Sequence, residues 1–145
     1  MPDHSRAALA AVLLALAACS PSPAAPVTGE ISDTAITVNA VAAPANSWFE
    51  LTNVGANPCN LVVIVTETPP TELPIANGMV QVDALGEGTS VDAVDSAVQP
   101  GTLARWQEQL PTDPGAQVAG ARLIICNNPG DFQAGRYVIL PISPL

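Results

Sequence analysis

Cys126-Asn-Asn-Pro129-Gly130-Asp131-Phe-Gln-Ala-Gly135-Arg136 lies between two short apolar runs, Leu123-Ile-Ile125 and Tyr137-Val-Ile-Leu140. Runs rich in β-branched residues that bracket a segment of Asn, Pro and Gly read as strand, loop, strand. The same alternation extends upstream. Short strands are expected at residues 30–32, 35–41, 47–52, 59–67, 79–83, 102–110, 121–126 and 137–142, each bounded by turn residues. In residues 47–52, Trp48, Glu50 and Thr52 alternate with Phe49 and Leu51, as in a half-buried strand. Pro69, Pro70 and Pro74 argue against regular structure before Met79, and residues 91–97 are short enough for one helical turn. Strands with turn signals every 8–12 residues indicate an all-β Greek-key sandwich or barrel of about seven or eight strands.

Composition narrows the class further. The chain has 145 residues, a net charge of −9, 48% hydrophobic residues and 12% charged ones, which suits one domain with one core. Lysine and arginine total 4, all of them arginine, so nucleic acid is not an expected partner: few phosphates could be neutralised. The acidic balance favours solubility and could steer a basic partner.

The first residues are set apart from the domain. Arg6 opens a run of Ala, Leu and Val ending in Leu16-Ala17-Ala18-Cys19. A basic residue, a short apolar stretch and small residues before a cut describe a signal peptide over residues 1–18. At about a dozen residues the run is shorter than the roughly 20 needed to span a bilayer. Leu-Ala-Ala-Cys also resembles the bacterial lipobox, which implies cleavage before Cys19, its lipidation, and an exported domain lipid-anchored to the bacterial membrane. The alternative is an ordinary signal peptide with an incidental cysteine. Residues 19–26, rich in Pro, Ser and Ala, read as a semi-rigid tether, and residues 27–145 as the domain.

The spacing Cys-x-x-Pro-Gly-x-x-x-x-Gly resembles the copper loop of the cupredoxins, the blue-copper family, with Asp131 at the histidine position and Arg136 at the axial methionine position. A second block, Asn53-Val-Gly55-Ala-Asn-Pro58-Cys59-Asn60-Leu61, is similar to the family's segment around its first copper histidine, with Cys59 in that place. The resemblance covers residues 36–142 and implies a cupredoxin-like fold whose copper-ligand positions are held by Cys59, Cys126, Asp131 and Arg136. A blue-copper site needs two imidazoles and a thiolate. The one histidine, His4, lies within the expected signal peptide, so no type 1 copper and no other cofactor are expected. The family's convergence of first histidine and cysteine on one ion implies that Cys59 and Cys126 meet, and in an exported compartment that they form a disulfide. Asp131 and Arg136 then either pair over that disulfide or are two solvated loop residues.

Other chemistries leave weaker traces. Cys59, Cys126 and Asp131, if reduced, offer two thiolates and a carboxylate to Zn²⁺ or Cu(I), the basis of an alternative metal or redox role. Nucleophilic catalysis of the Ser-His-Asp or Cys-His kind lacks its histidine, and Glu67, Glu72, Asp92 and Asp95 form no supporting pattern, so an enzyme is not expected. Trp48 and Trp106 read as core anchors because each falls in an expected strand. Residues 68–78 and 84–99 exceed ordinary hairpin loops and are candidate binding surfaces for a protein or small-molecule partner.

Overall fold

The computed structural model describes residues 25–86, 89–108 and 121–143, and these form two facing β-sheets. Sheet I contains β2 (Ile36–Val38), β1 (Val27–Ile31), β4 (Trp48–Asn53) and β9 (Leu103–Gln107), in that order. Sheet II contains β3 (Ala43–Pro44), β11 (Tyr137–Ser143), β10 (Ala121–Cys126), β5 (Cys59–Thr66) and β8 (Ser90–Val98). A two-stranded ribbon, β6 (Ile75–Ala76) and β7 (Met79–Val80), stands apart from both. Eight of these strands are three residues or longer. The chain passes repeatedly between sheets, and the pairs β1–β4 and β3–β11 are parallel.

Alternation explains sheet I. In β4, Phe49, Leu51 and Asn53 point inward while Trp48, Glu50 and Thr52 point outward. Phe49 and Leu51 meet Ile31, Leu61, Val63, Ile124 and Leu140 in the core between the sheets. Trp106, paired with Phe49 across the strands, stacks on its ring at a centroid distance of 5.0 Å.

In β5 and β10 the apolar run is continuous, because both strands are buried on both faces. Val62, Ile64, Leu123 and Ile125 face away from the main core into a second cluster with Leu73, Val80 and Phe132. Half-buried Val82, Leu85 and Tyr137 pack against it. The proline-rich segment after β5 therefore roofs the outer face of sheet II. Burying one such side chain contributes about 1.5–3 kcal/mol.

The structure departs from four expectations. Residues 91–97 are not a helical turn but the body of β8, since the hydrogen-bonding edge of β5 needs a partner and Val62 lies opposite Val94. The strand expected at residues 79–83 stops at Val80 and is followed by a 3-10 turn, Val82–Ala84. The prolines before it do not exclude order: Pro70–Glu72 is a 3-10 turn, and Asn77 and Gly78, with φ of 53° and 76°, close the β6–β7 hairpin. Finally, Trp48 is no core anchor, being 40% exposed on the outer face of sheet I, where the guanidinium of Arg105 lies 4.5 Å from its ring centroid. The sites expected at residues 1–18 and at Cys19 lie outside the described residues.

One feature of the interior has no counterpart in the expectations. Arg122 points inward from β10 and forms an ion pair with Glu108, which follows β9. Both side chains are at most 5% exposed, so this pair spans the two sheets inside the sandwich.

Candidate functional site

At one end of the sandwich the β4–β5 turn, the β1–β2 turn and the β10–β11 loop come together. Asn53, fully buried, shapes the first of these. Its side-chain amide donates to the carbonyls of Asn57 and Val98, and its oxygen accepts from the Gly55 N–H. The Asp33 carboxylate, from the β1–β2 turn, accepts from the N–H groups of Ala56 and Asn57 and from the Asn57 amide. A side chain at Gly55 would place its Cβ 2.6 Å from Asp33 Oδ1, so the close approach requires glycine.

The Ala56 N–H, then that of Asn57 and the Asn57 amide, hold the Asp33 carboxyl below the ordinary carboxylate range. A group whose pKa is depressed by folding stabilises the fold above its unfolded pKa and loses that contribution as pH falls through the folded one. Asp33→Asn is therefore expected to unfold at lower urea concentration than the native chain near neutral pH. The gap should close only in acid below the ordinary aspartate range, and a pH-independent gap would count against this origin.

The β10–β11 loop is fastened by asparagine side chains that mimic backbone. The Asn127 side chain accepts from the Val80 N–H at 2.8 Å and donates to the Val80 carbonyl at 3.0 Å, tying the β6–β7 ribbon to the loop. The Asn128 side chain accepts from the Asn60 N–H and donates to Pro58 O and Asp131 Oδ2. The Gly130 N–H donates to Gly78 O at 2.8 Å, and a Cβ on Gly78 would sit 2.8 Å from that nitrogen. These roles of Asn127 and Asn128 were not anticipated, although adjacent asparagines after a strand are the available signal, since such side chains bond to nearby backbone.

Beneath the loop the structure joins Cys59 and Cys126 in a disulfide, with 5.1 Å between Cα atoms and both residues fully buried in the main core. It links the start of β5 to the end of β10, neighbours in sheet II. Beside it Arg136, 2% exposed, donates from Nε to Ser32 O at 2.7 Å and from Nη1 to Asp131 Oδ2 at 2.7 Å. Its Nη2 is buried and has no hydrogen-bond partner among the described residues. Of the two arrangements open for Asp131 and Arg136, the ion pair is the one formed. The Arg136 carbonyl also accepts from the Cys126 N–H at 3.2 Å, so cation and disulfide share one short stretch of backbone.

A fully exposed pair contributes about 0–1 kcal/mol, whereas breaking a buried one costs about 3–5 kcal/mol. The Asp131 side chain is 23% exposed, between these limits. Asp131→Ala is expected to destabilise by about 2 kcal/mol, because a buried guanidinium loses its counter-ion. A change of melting temperature no larger than that of an ordinary surface substitution would show that water compensates fully.

Two sheets in this order, joined by crossings at each end, are the cupredoxin fold. The chain resembles dithionite-reduced auracyanin from the photosynthetic bacterium Roseiflexus castenholzii at 13% identity, over 83% of this chain and 100% of that one, with a TM-score of 0.50. It also resembles reduced rusticyanin at 13% identity, over 81% of this chain and 79% of that one, with a TM-score of 0.47. No protein-family model and no curated protein matches the sequence.

The donor set at this end does not fit type 1 copper. That centre requires two imidazoles and a thiolate, whereas here both sulfurs are bonded to each other and the Asp131 carboxylate is paired with Arg136. Residues 25–145 contain no histidine. Among the described residues no group of three or more His, Cys, Asp or Glu side chains is placed to hold a metal ion.

Of the segments offered as binding surfaces, residues 84–99 hold strand β8, and residues 68–78 send Leu73 into the second core while most of the segment stays at the surface. Among the described residues no helix is long and apolar enough to cross a membrane.

Proposed function

We propose that this protein is a lipid-anchored module of the bacterial cell envelope, a cupredoxin-fold domain without type 1 copper that acts by binding or structural support and not by catalysis. The observation that carries the reading is the occupancy of one end of the sandwich by a disulfide and a buried ion pair. The residues that the resemblance puts at metal-donor positions bond to each other instead, Cys59 to Cys126 and Asp131 to Arg136, which leaves a covalently braced end of the sandwich. Anchoring rests on Leu16-Ala17-Ala18-Cys19 and the tether at residues 19–26, and the disulfide suits an exported, oxidising compartment. Arg105, Arg122 and Arg136 are each paired with a carboxylate, Glu50, Glu108 and Asp131, so the unbalanced surface charge is negative and favours a basic partner.

Three measurements on the purified protein test this together. Elemental analysis is expected to find no stoichiometric metal, the visible spectrum no thiolate-to-metal band, and thiol titration in denaturant without reductant no free thiol from Cys59 or Cys126. One equivalent of bound metal, or two titratable thiols, would replace this reading with a metal or redox role for Cys59, Cys126 and Asp131.

A further inference from the structure

The topology sets the start of β1 and the disulfide at opposite ends of the domain. β1 begins at Val27 opposite Phe49 and runs parallel to β4. β4 ends at Asn53, and the turn after it leads directly to Cys59. The start of β1, where the tether joins, is thus separated from the disulfide by the length of β4, six residues or about 20 Å. At the tether end, the outer face of sheet I exposes Trp48, the first residue of β4. Arg105 lies over its ring and pairs with Glu50 at 3.2 Å, while Gln107, paired with Trp48 across the strands, donates to Asn46 O and Oδ1. The ring is thereby held in one orientation by polar groups, yet stays 40% exposed.

We infer that this end of sheet I rests on the surface of the membrane carrying Cys19, with Trp48 inserted at the lipid headgroups, Arg105 and Gln107 beside it, and the disulfide end turned outward to partners. The inference rests on the lipid anchor proposed above. Two quantities favour a lipid surface as the occupant of this face. The eight residues 19–26, if extended, reach only about 25 Å at ~3.1 Å per residue, so the tether end cannot leave the bilayer surface by more than its own width. Tryptophan, apolar in body with one N–H donor, partitions to the headgroup region. Net charge −9 and exposed Glu67 exclude attraction to anionic lipid as the driving force, so contact is through the aromatic ring and does not require anionic headgroups.

The full chain is to be expressed in a bacterial host, purified in detergent and weighed by mass spectrometry. It is then reconstituted into phosphatidylcholine vesicles, with and without phosphatidylglycerol, using brominated or ordinary acyl chains. The processed mass should begin at Cys19 and carry acyl chains. Tryptophan emission should be quenched by brominated lipid in both vesicle types, the quenching should be lost in Trp48→Phe, and it should persist in Trp106→Phe. A mass without acyl chains overturns the anchor and this orientation with it. A lipidated protein that is not quenched, or whose quenching survives Trp48→Phe, overturns the orientation alone. Self-association without lipid that shifts Trp48 emission assigns the face to a second copy of the chain and likewise overturns it.

Discussion

Replacing both cysteines, Cys59→Ala with Cys126→Ala, is expected to lower the free energy of unfolding by about 4 kcal/mol while leaving the two-sheet fold intact. The bridge closes a loop with a sequence separation of 67, and on the chain-entropy model closing a loop of that length removes about 4 kcal/mol of freedom from the unfolded chain. Small domains are stable by only about 5–15 kcal/mol, so the loss is a large part of the total. The fold should survive because β5 and β10 remain paired from Leu61–Cys126 to Thr66–Ala121 without the bridge. Urea unfolding followed by circular dichroism measures both. A midpoint change worth less than 1 kcal/mol would show that the reduced, unfolded chain is already compact there. Loss of native secondary structure would show that the bridge is needed to form the fold and not merely to stabilise it.

Glu108→Ala should cost about 3–5 kcal/mol, far more than its position near the end of a strand suggests. Both partners of the Glu108–Arg122 pair are buried, so removing the carboxylate takes a counter-ion from a cation held away from water. The joint replacement Glu108→Leu with Arg122→Met should recover most of that loss, since well-packed apolar groups replace a buried pair at little cost. Thermal unfolding of the two variants decides the matter. Equal destabilisation of single and double variants would mean that Arg122 is needed for more than its charge. Neither this pair nor the disulfide belongs to an exposed surface, so both effects concern stability and not recognition.

Much of the fold was legible because it was written locally. Cys126 to Arg136 reads as a loop from its Pro129-Gly130 and Gly135 alone, and the alternation of residues 47–52 places Phe49 inward and Glu50 outward. That same alternation places Trp48 on the outward face with Glu50 and Thr52, and a tryptophan's size does not outweigh the period of its strand. β8 was harder to read, because its Ser, Asp and Ala residues have weak strand preference and its conformation comes from pairing with β5. Asn127 and Asn128 were legible as turn residues but not as clamps, because Val80, Pro58 and Asn60 lie far away along the chain.

By itself the sequence determined an all-β Greek-key domain and a loop that lacks the imidazoles of blue copper, for turn residues, periodicity and the inventory of side chains are properties of short stretches. Only the tertiary structure decided that Asp131 and Arg136 pair, that Arg122 meets Glu108, and that the start of β1 and the disulfide lie at opposite ends. Those depend on which strands become neighbours and on what burial demands of a charge, since a guanidinium removed from water must find a carboxylate wherever the fold brings one within reach.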